Sequence, residues 1–267
     1  MELVDSHCHL DDPRLDPLRD AALERARAVG VRAIVVPAVD ARSWQRTRDC
    51  CARAPTGMGL YPAYGLHPYF TDHHRDADID ALGAWLRDCG AVAVGECGLD
   101  HHVPGLDRER QRVLFEAQVA LARDLGLPVI VHARKAVDDV IGVLRRYPGV
   151  RADVHSFSGS EQQAYRLVDL GAVIGIGNVI AFERARRLRR VVSTLPLEHI
   201  VVETDAPDQP GPARPGALNE PVHVRDVVRE IARLRDMDED EVAACTAGNA
   251  RRLFRLPDGP AGSDHVG

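Results

Sequence analysis

The sequence predicts a (β/α)8 barrel. Three observations carry that prediction: eight short apolar, β-branched runs, an amphipathic run following each, and a His or carboxylate closing five of the apolar runs. In chain order the first four pairs are Leu3–Ser6 with Leu15–Val29, Ala33–Pro37 with Ser43–Arg53, Gly59–Gly65 with Ile79–Asp88, and Ala91–Gly95 with Asp107–Leu125. The next three are Pro128–His132 with Val137–Arg146, Ala152–His155 with Ser160–Leu170, and Ala172–Gly177 with Ala181–Ser193. The eighth strand, His199–Glu203, precedes two helices, Val222–Arg235 and Asp238–Arg252. Helical period is clearest in Asp107–Leu125, where Val113, Leu114, Ala117, Ala120, Leu121 and Leu125 form one stripe expected to face the core.

The competing arrangement is a doubly wound open sheet, which needs a Gly-rich nucleotide loop after the first strand. Asp5-Ser6-His7-Cys8-His9 stands there instead. The run Gly171…Gly175-Ile176-Gly177 lacks the third glycine of a dinucleotide fingerprint and falls on the seventh strand. A length of 267 residues fits one large domain or two small ones, and no linker or longer repeat divides it. One barrel domain is expected over 1–256, with a disordered tail at 257–267. The Pro- and Gly-rich stretch Ala206–Asn219 is expected to be a long loop beside the active site.

Composition narrows the functions. Apolar residues make up 45% and charged residues 28%, which excludes collagen-like, coiled-coil and wholly disordered chains. No stretch approaches the roughly 18 uninterrupted apolar residues of a membrane span. The N-terminus has no basic region followed by an apolar one, so no secretory signal is expected. Six cysteines form no CxxC pair, which points to a reduced, cytoplasmic chain. A net charge of −6 argues against a nonspecific grip on duplex DNA, although it says nothing about a single cleft.

Active sites of such barrels lie at the C-terminal ends of the strands. Residues i and i+2 of an extended chain share a face, so His7 and His9 can point together into the barrel mouth. Strand four ends in Gly95-Glu96-Cys97-Gly98-Leu99-Asp100, strand five in His132-Ala133-Arg134, strand six in His155-Ser156 and strand eight in Glu203-Thr204-Asp205. A lone His132 after an apolar run is more often a satisfied histidine than a ligand. Five strand ends of one chemistry are another matter. They point to a centre of four histidines and two carboxylates, with more ligands than one tetrahedral ion uses. Two divalent ions bridged by Glu96 are therefore expected, their identity open among Zn, Mn, Mg, Co and Fe. The lone lysine, Lys135, lies past strand five, so a carboxylated lysine bridge is not expected.

Seven motifs in order now resemble a TatD-type metal-dependent hydrolase of the amidohydrolase superfamily, with its YjjV-like branch the nearest in the Ser160–Gly171 and ETDAPDQP stretches. They are DSHCHLD (5–11), GLHP (65–68), GECGLD (95–100), PVIVHAR (128–134), HSFSGS (155–160), ETDAP (203–207) and NEP (219–221), spanning Val4 to about Phe254. The resemblance implies a TIM barrel with two divalent ions that hydrolyses phosphodiester bonds, typically in DNA. It implies His7, His9, Glu96 and Asp205 around one ion, and Glu96, His132 and His155 around the other. His67 and Arg134 would then face the substrate. Three departures stand out: His101-His102 in place of an aromatic after GLD, Leu218 in place of the arginine before NEP, and Ser156 where Cys is common.

The expected reaction has a hydroxide held by the ions attack phosphorus, with Asp205 taking the water's proton and Glu96 as bridge. Its expected substrate is single-stranded DNA or DNA ends, acted on by a monomer with no obligate protein partner and no membrane. Asp5 and Asp100 read equally well as groups fixing histidine tautomers or as turn and cap residues. Two alternatives stay open: the same barrel acting on an aminoacyl ester, small phosphoester or cyclic amide, and a non-catalytic metal-binding scaffold. His73-His74 and His101-His102 are expected in polar loops, Cys8 and Cys97 in the barrel wall, and the arginines of 184–190 on a solvated face.

Overall fold

Each strand pairs in parallel with the one before it, in the order β1 to β8. The computed structural model describes residues 1–257, so the expected tail lies, Pro257 aside, outside the described residues. The strands are β1 (Leu3–Asp5), β2 (Val31–Pro37), β3 (Gly59–Tyr64), β4 (Ala93–Asp100), β5 (Val129–Arg134), β6 (Ala152–Val154), β7 (Ala172–Ile176) and β8 (Ile200–Val202). Seven helices connect them: α1 (Arg19–Ala28), α2 (Trp44–Cys51), α3 (Ala77–Asp88), α4 (Arg108–Leu125), α5 (Val137–Arg145), α6 (Glu161–Asp169) and α7 (Arg186–Thr194). After β8 come α8 (Val224–Arg235) and α9 (Glu239–Phe254). The ring is nearly closed, because the Ser6 N–H donates to Val202 O at 3.0 Å and the Asp205 N–H to His7 O at 2.9 Å.

Local chemistry sets the helix ends. Asp107 caps α4 by accepting from the Arg110 amide, and Gly126 stops it in the left-handed region at φ 67°. Ser160 and Gln163 form a capping box on α6. Alternate residues of β2 sort into separate apolar clusters, Ile34 and Val36 under the helices, Ala33 and Val35 inside the barrel. The inner cluster continues into Ala247, Ala250, Leu253 and Phe254, so α9 packs against the apolar interior of the barrel. Asn249 of that helix donates to Leu197 O at 2.8 Å and Ile200 O at 2.7 Å, fastening it to the start of β8.

Four sequence expectations shift. The buried face of α4 is Gln111, Leu114, Phe115, Gln118, Val119 and Ala122, while Val113 is 46% exposed. The reason is polar: the two glutamines face inward and bond backbone at the strand ends. β4 runs on to Asp100 through a register irregularity between Val94 and Cys97, so its polar half was hidden from a simple apolar count. A 3-10 turn (Pro13–Leu15), capped by Asp12 accepting from the Arg14 amide, precedes α1, which begins only at Arg19. A second such turn (Asn178–Ala181) and an extended Phe182 stand where α7 was expected to begin. No helix among the described residues is long and apolar enough to cross a membrane.

Gly98 is where β4 and β5 come closest: φ is +135°, and a Cβ there would lie 2.1 Å from His132 O. Gly98→Ala should therefore cost about 3 kcal/mol in urea unfolding, through backbone strain and overpacking. Gly142→Ala in α5, where a Cβ meets nothing within 4 Å, should instead gain about 0.5–1 kcal/mol.

Candidate active site

At the mouth of the barrel one carboxylate has two separate sets of neighbours. Glu96, on the upper half of β4, is 1% exposed. Its Oε2 lies 3.2 Å from His7 Nε2 and 3.3 Å from His9 Nε2. Asp205 Oδ1 completes that set, 3.6 Å from His7 Nε2 and 3.5 Å from His9 Nε2. The other oxygen, Oε1, lies 2.7 Å from His155 Nε2, 3.0 Å from His132 Nδ1 and 2.9 Å from His67 Nε2. The structure thus brings all six expected ligands together and adds His67, which the sequence reading set against the substrate. The signal for His67 was its place two residues beyond Gly65, at the end of the strand beside β4.

The donor atoms fit cations. Imidazole nitrogens approach one another at 3.2 Å (His7 and His9), 3.3 Å (His132 and His155) and 3.3 Å (His67 and His132). No one-proton arrangement satisfies so many converging lone pairs. Glu96 Oε2 is buried without a hydrogen-bond partner. Burial pushes the His67 imidazole down to about 4 and His7 well below its usual range, so both rings are neutral. Burial also acts to lower His9 and His132, yet carboxylates outweigh it and carry them up to about 10 and about 9. Glu96 itself is buried, but the surrounding imidazoles hold it well below the usual carboxylate range. The pocket thus attracts positive charge at both ends of Glu96. Three donor groups lie close enough to share an ion: His7, Glu96 and His155; His7, His9 and Asp205; and His67, Glu96 and His132.

A supporting layer orients these atoms. Asp100 accepts from His132 Nε2 at 3.1 Å, which fixes that ring with Nδ1 turned towards Glu96. His9 Nδ1 is 3.1 Å from Pro37 O, fixing that ring the same way. Asp5 does something else: it accepts from the Thr204 amide and hydroxyl at 3.0 and 2.6 Å and from the His7 amide at 3.3 Å, so it ties β1 to β8 and touches no imidazole ring. From α4, Gln118 accepts from the Leu66 amide at 2.8 Å, while Gln111 accepts from the Asp100 amide at 3.0 Å and donates to Pro68 O at 3.1 Å. Both glutamines went unread in the sequence, because a polar residue on a helix stripe counts against burial there. Gln209 also went unread. It donates from Nε2 to Asp205 Oδ2 and, at 2.7 Å, to Ser156 Oγ. Ser156, Asp205 and Gln209 all hold left-handed φ, 47°, 55° and 52°, the kind of backbone strain that clusters at active sites. Asn219 of NEP donates to Thr204 O at 2.7 Å and Gln209 O at 3.2 Å, holding this loop in place.

Beneath the donors lie two further buried acids, Asp153 and Glu203. Burial pushes Asp153 up to about 7 and Glu203 well above its usual range. A Cβ on Gly175 would sit 2.5 Å from Glu203 Oε2 and 3.1 Å from Asp153 Oδ1, so only glycine leaves them room. The glycine that looked like part of a fingerprint serves this packing. The other weighed residues fall outside the centre. Cys8 and Cys97 are buried in the wall, His74 Nε2 braces His67 O at 2.9 Å, and His101 faces Asp139 at 3.4 Å. Of the arginine run, Arg189 pairs with Glu230 and Arg184 lies over the Phe182 ring at 4.8 Å. Arg134 is exposed at the end of β5 and lines the same cavity of about 930 Å³ as Glu96, His67 and Asp205.

A parallel barrel carrying histidines and carboxylates at its strand ends defines a metal-dependent hydrolase. The particular family follows from similarity: the family profile described as TatD related DNase matches residues 4–255, and the chain belongs to that family. It is 39% identical over 257 residues to the "Uncharacterized metal-dependent hydrolase YjjV" of Escherichia coli strain K12, covering 95% of this chain and 98% of that one. It is 34% identical over 245 residues to the "3'-5' ssDNA/RNA exonuclease TatD" of Erwinia tasmaniensis, covering 89% and 94%. The crystal structure of E. coli YjjV superposes with a TM-score of 0.90 at 38% identity, covering 96% of this chain and 98% of that one.

If Asp100 sets the His132 tautomer, Asp100→Ala should weaken divalent-ion binding about 10–100-fold in competition with a chelating dye. Far-UV circular dichroism should stay unchanged.

Proposed function

We propose that the chain is a two-metal phosphodiesterase, a deoxyribonuclease acting on DNA ends or single strands, carried by one barrel domain over 1–256. The observation that carries this reading is Glu96, each of whose oxygens faces its own set of donors. His7, His9, Asp205 and Glu96 would hold one ion; Glu96, His132 and His155 would hold the other, with His67 beside them. Divalent ions in such a site supply an acidified water and offset charge that builds on a phosphate in the transition state. The chain's own residues do the remainder. Asp205 takes the water's proton through a carboxylate whose second oxygen Gln209 holds in place. Arg134 offers a planar fork to the phosphate, and among the described residues no carboxylate pairs with it. The relative named as an exonuclease on ssDNA and RNA supports a nucleic-acid substrate. Six free cysteines fit a reducing, cytoplasmic setting.

One observation favours a second reading, a smaller or less charged ester. Leu218 stands where the family places an arginine, and it packs against the core. The nearby Arg214 does not replace that cation, because Asp226 pairs with it at 2.9 Å.

The test is hydrolysis of a 5′-labelled single-stranded oligonucleotide by metal-stripped enzyme, with Mg, Mn, Co or Zn restored. Metal-dependent laddering is expected, with a loss of at least about 100-fold in Asp205→Asn. An intact oligonucleotide after incubation with enzyme holding about two ions per chain would overturn the nuclease reading in favour of the smaller ester.

A further inference from the structure

Large apolar side chains normally leave solvent, and a wide-open one inside a catalytic cavity asks for a ligand. Tyr69 is such a residue. It is 51% exposed, the most open large apolar side chain among the described residues, and it lines the same cavity as Glu96 and Arg134.

Its position relative to the donors is fixed. Tyr69 sits on the 3-10 turn Pro68–His73, and its amide donates to His67 Nδ1 at 3.0 Å. The other nitrogen of that imidazole is 2.9 Å from Glu96 Oε1. The turn is braced by the Thr71 hydroxyl donating to Pro68 O at 2.5 Å. Phe70 meets the Tyr69 ring edge-on at 5.1 Å between centroids and lies 5.9 Å from the His67 ring. The backbone that carries this aromatic ring is therefore one hydrogen bond from His67, which in turn contacts Glu96.

Charge in the cavity is sparse by comparison. Arg14 is neutralised by Asp12 and Asp208, Arg46 by Asp16, and Arg42 stands 3.6 Å from Asp40. That leaves Arg134. A cavity with one unpaired arginine and an exposed aromatic is suited to one phosphate and one flat ring, not to a long row of phosphates.

We propose that Tyr69 stacks an unpaired nucleobase of the substrate next to the bond that is cut. The proposal rests on the phosphodiesterase reading above and gives it a specificity. In duplex DNA both faces of an internal base are covered by its neighbours, whereas a frayed end or single strand offers a free face. Stacking tolerates any base, because every base has a π-face.

The experiment compares wild type, Tyr69→Ala and Tyr69→Phe on two single-stranded oligonucleotides, one ordinary and one with abasic residues at the cleaved end. On the ordinary strand Tyr69→Ala should raise KM on the order of 10-fold with a much smaller change in kcat, and Tyr69→Phe should bring KM back towards wild type. On the abasic strand the wild-type KM should already be raised, and Tyr69→Ala should add nothing. A thermal melt matching wild type separates lost stacking from lost folding. If wild type cuts the ordinary strand and Tyr69→Ala keeps its KM, the stacking role is overturned and the nuclease reading stands. If wild type leaves the strand intact but hydrolyses bis(4-nitrophenyl) phosphate, both fall together.

Discussion

Everything at the mouth of this barrel is arranged around the two oxygens of Glu96. A buried carboxylate loses hydration and must be compensated locally. Here five imidazoles compensate it, two on one oxygen and three on the other. Those imidazoles come from four different strand ends, so the position of one side chain fixes the mutual placement of β1, β3, β5 and β6. The donors crowd one another once the carboxylate is in place, with imidazole nitrogens 3.2 to 3.3 Å apart. Glu96 is thus the structural organiser of the barrel mouth.

Holding such a residue needs stiff surroundings. The two glutamines of α4 reach across to backbone groups at the ends of β3 and β4, doing from a helix what a neighbouring strand would otherwise do. Below, the interior changes character by layers. Its floor is apolar and small, with Ala33, Ala63 and Ala93 on three successive strands. Above it come Asp153 and Glu203, both pushed up from the usual carboxylate range by burial, and only then the donors. Burial thus favours the protonated form of both acids under an anionic bridge, which limits further uncompensated charge in the same low-dielectric space. Gly175 makes room for that layer, and Gly98 lets the backbones of β4 and β5 approach beneath His132.

Much of this was legible in the chain. All eight strands fall on the expected apolar runs, five of which close in His, Asp or Glu, because a barrel strand buried on both faces reads as continuous apolar sequence. Glu96, His132 and His155 could be found from their position just past such runs. What stayed hidden has one physical cause: residues whose value lies in a hydrogen bond to distant backbone carry no periodic signal. Gln111 and Gln118 turned the α4 stripe away from its apolar count. Gln209 sits in a loop that reads only as rich in Pro and Gly, and its contact with Asp205 depends on a left-handed backbone that no composition reveals. His67 was visible as a residue of interest but not as a donor, since its distance to Glu96 comes from a turn braced by Thr71 and His74.

The join between β1 and β8 has a consequence in time as well as in space. Asp5 and Thr204, 199 positions apart, are tied by two hydrogen bonds, and that join sets His7 and His9 opposite Asp205. A ribosome adds residues from the N-terminus onward, so His7 and His9 emerge first, are followed by Glu96 midway, and wait longest for Asp205. The inner apolar cluster waits longer still, because α9 supplies part of it. Ordering contacts of such long range is slow and comes late. A growing chain therefore carries every donor but Asp205 before the join that seats His7 and His9 can form. The donor set is thus completed only by the last strand of the barrel, so a chain still lacking β8 lacks one of its two carboxylates.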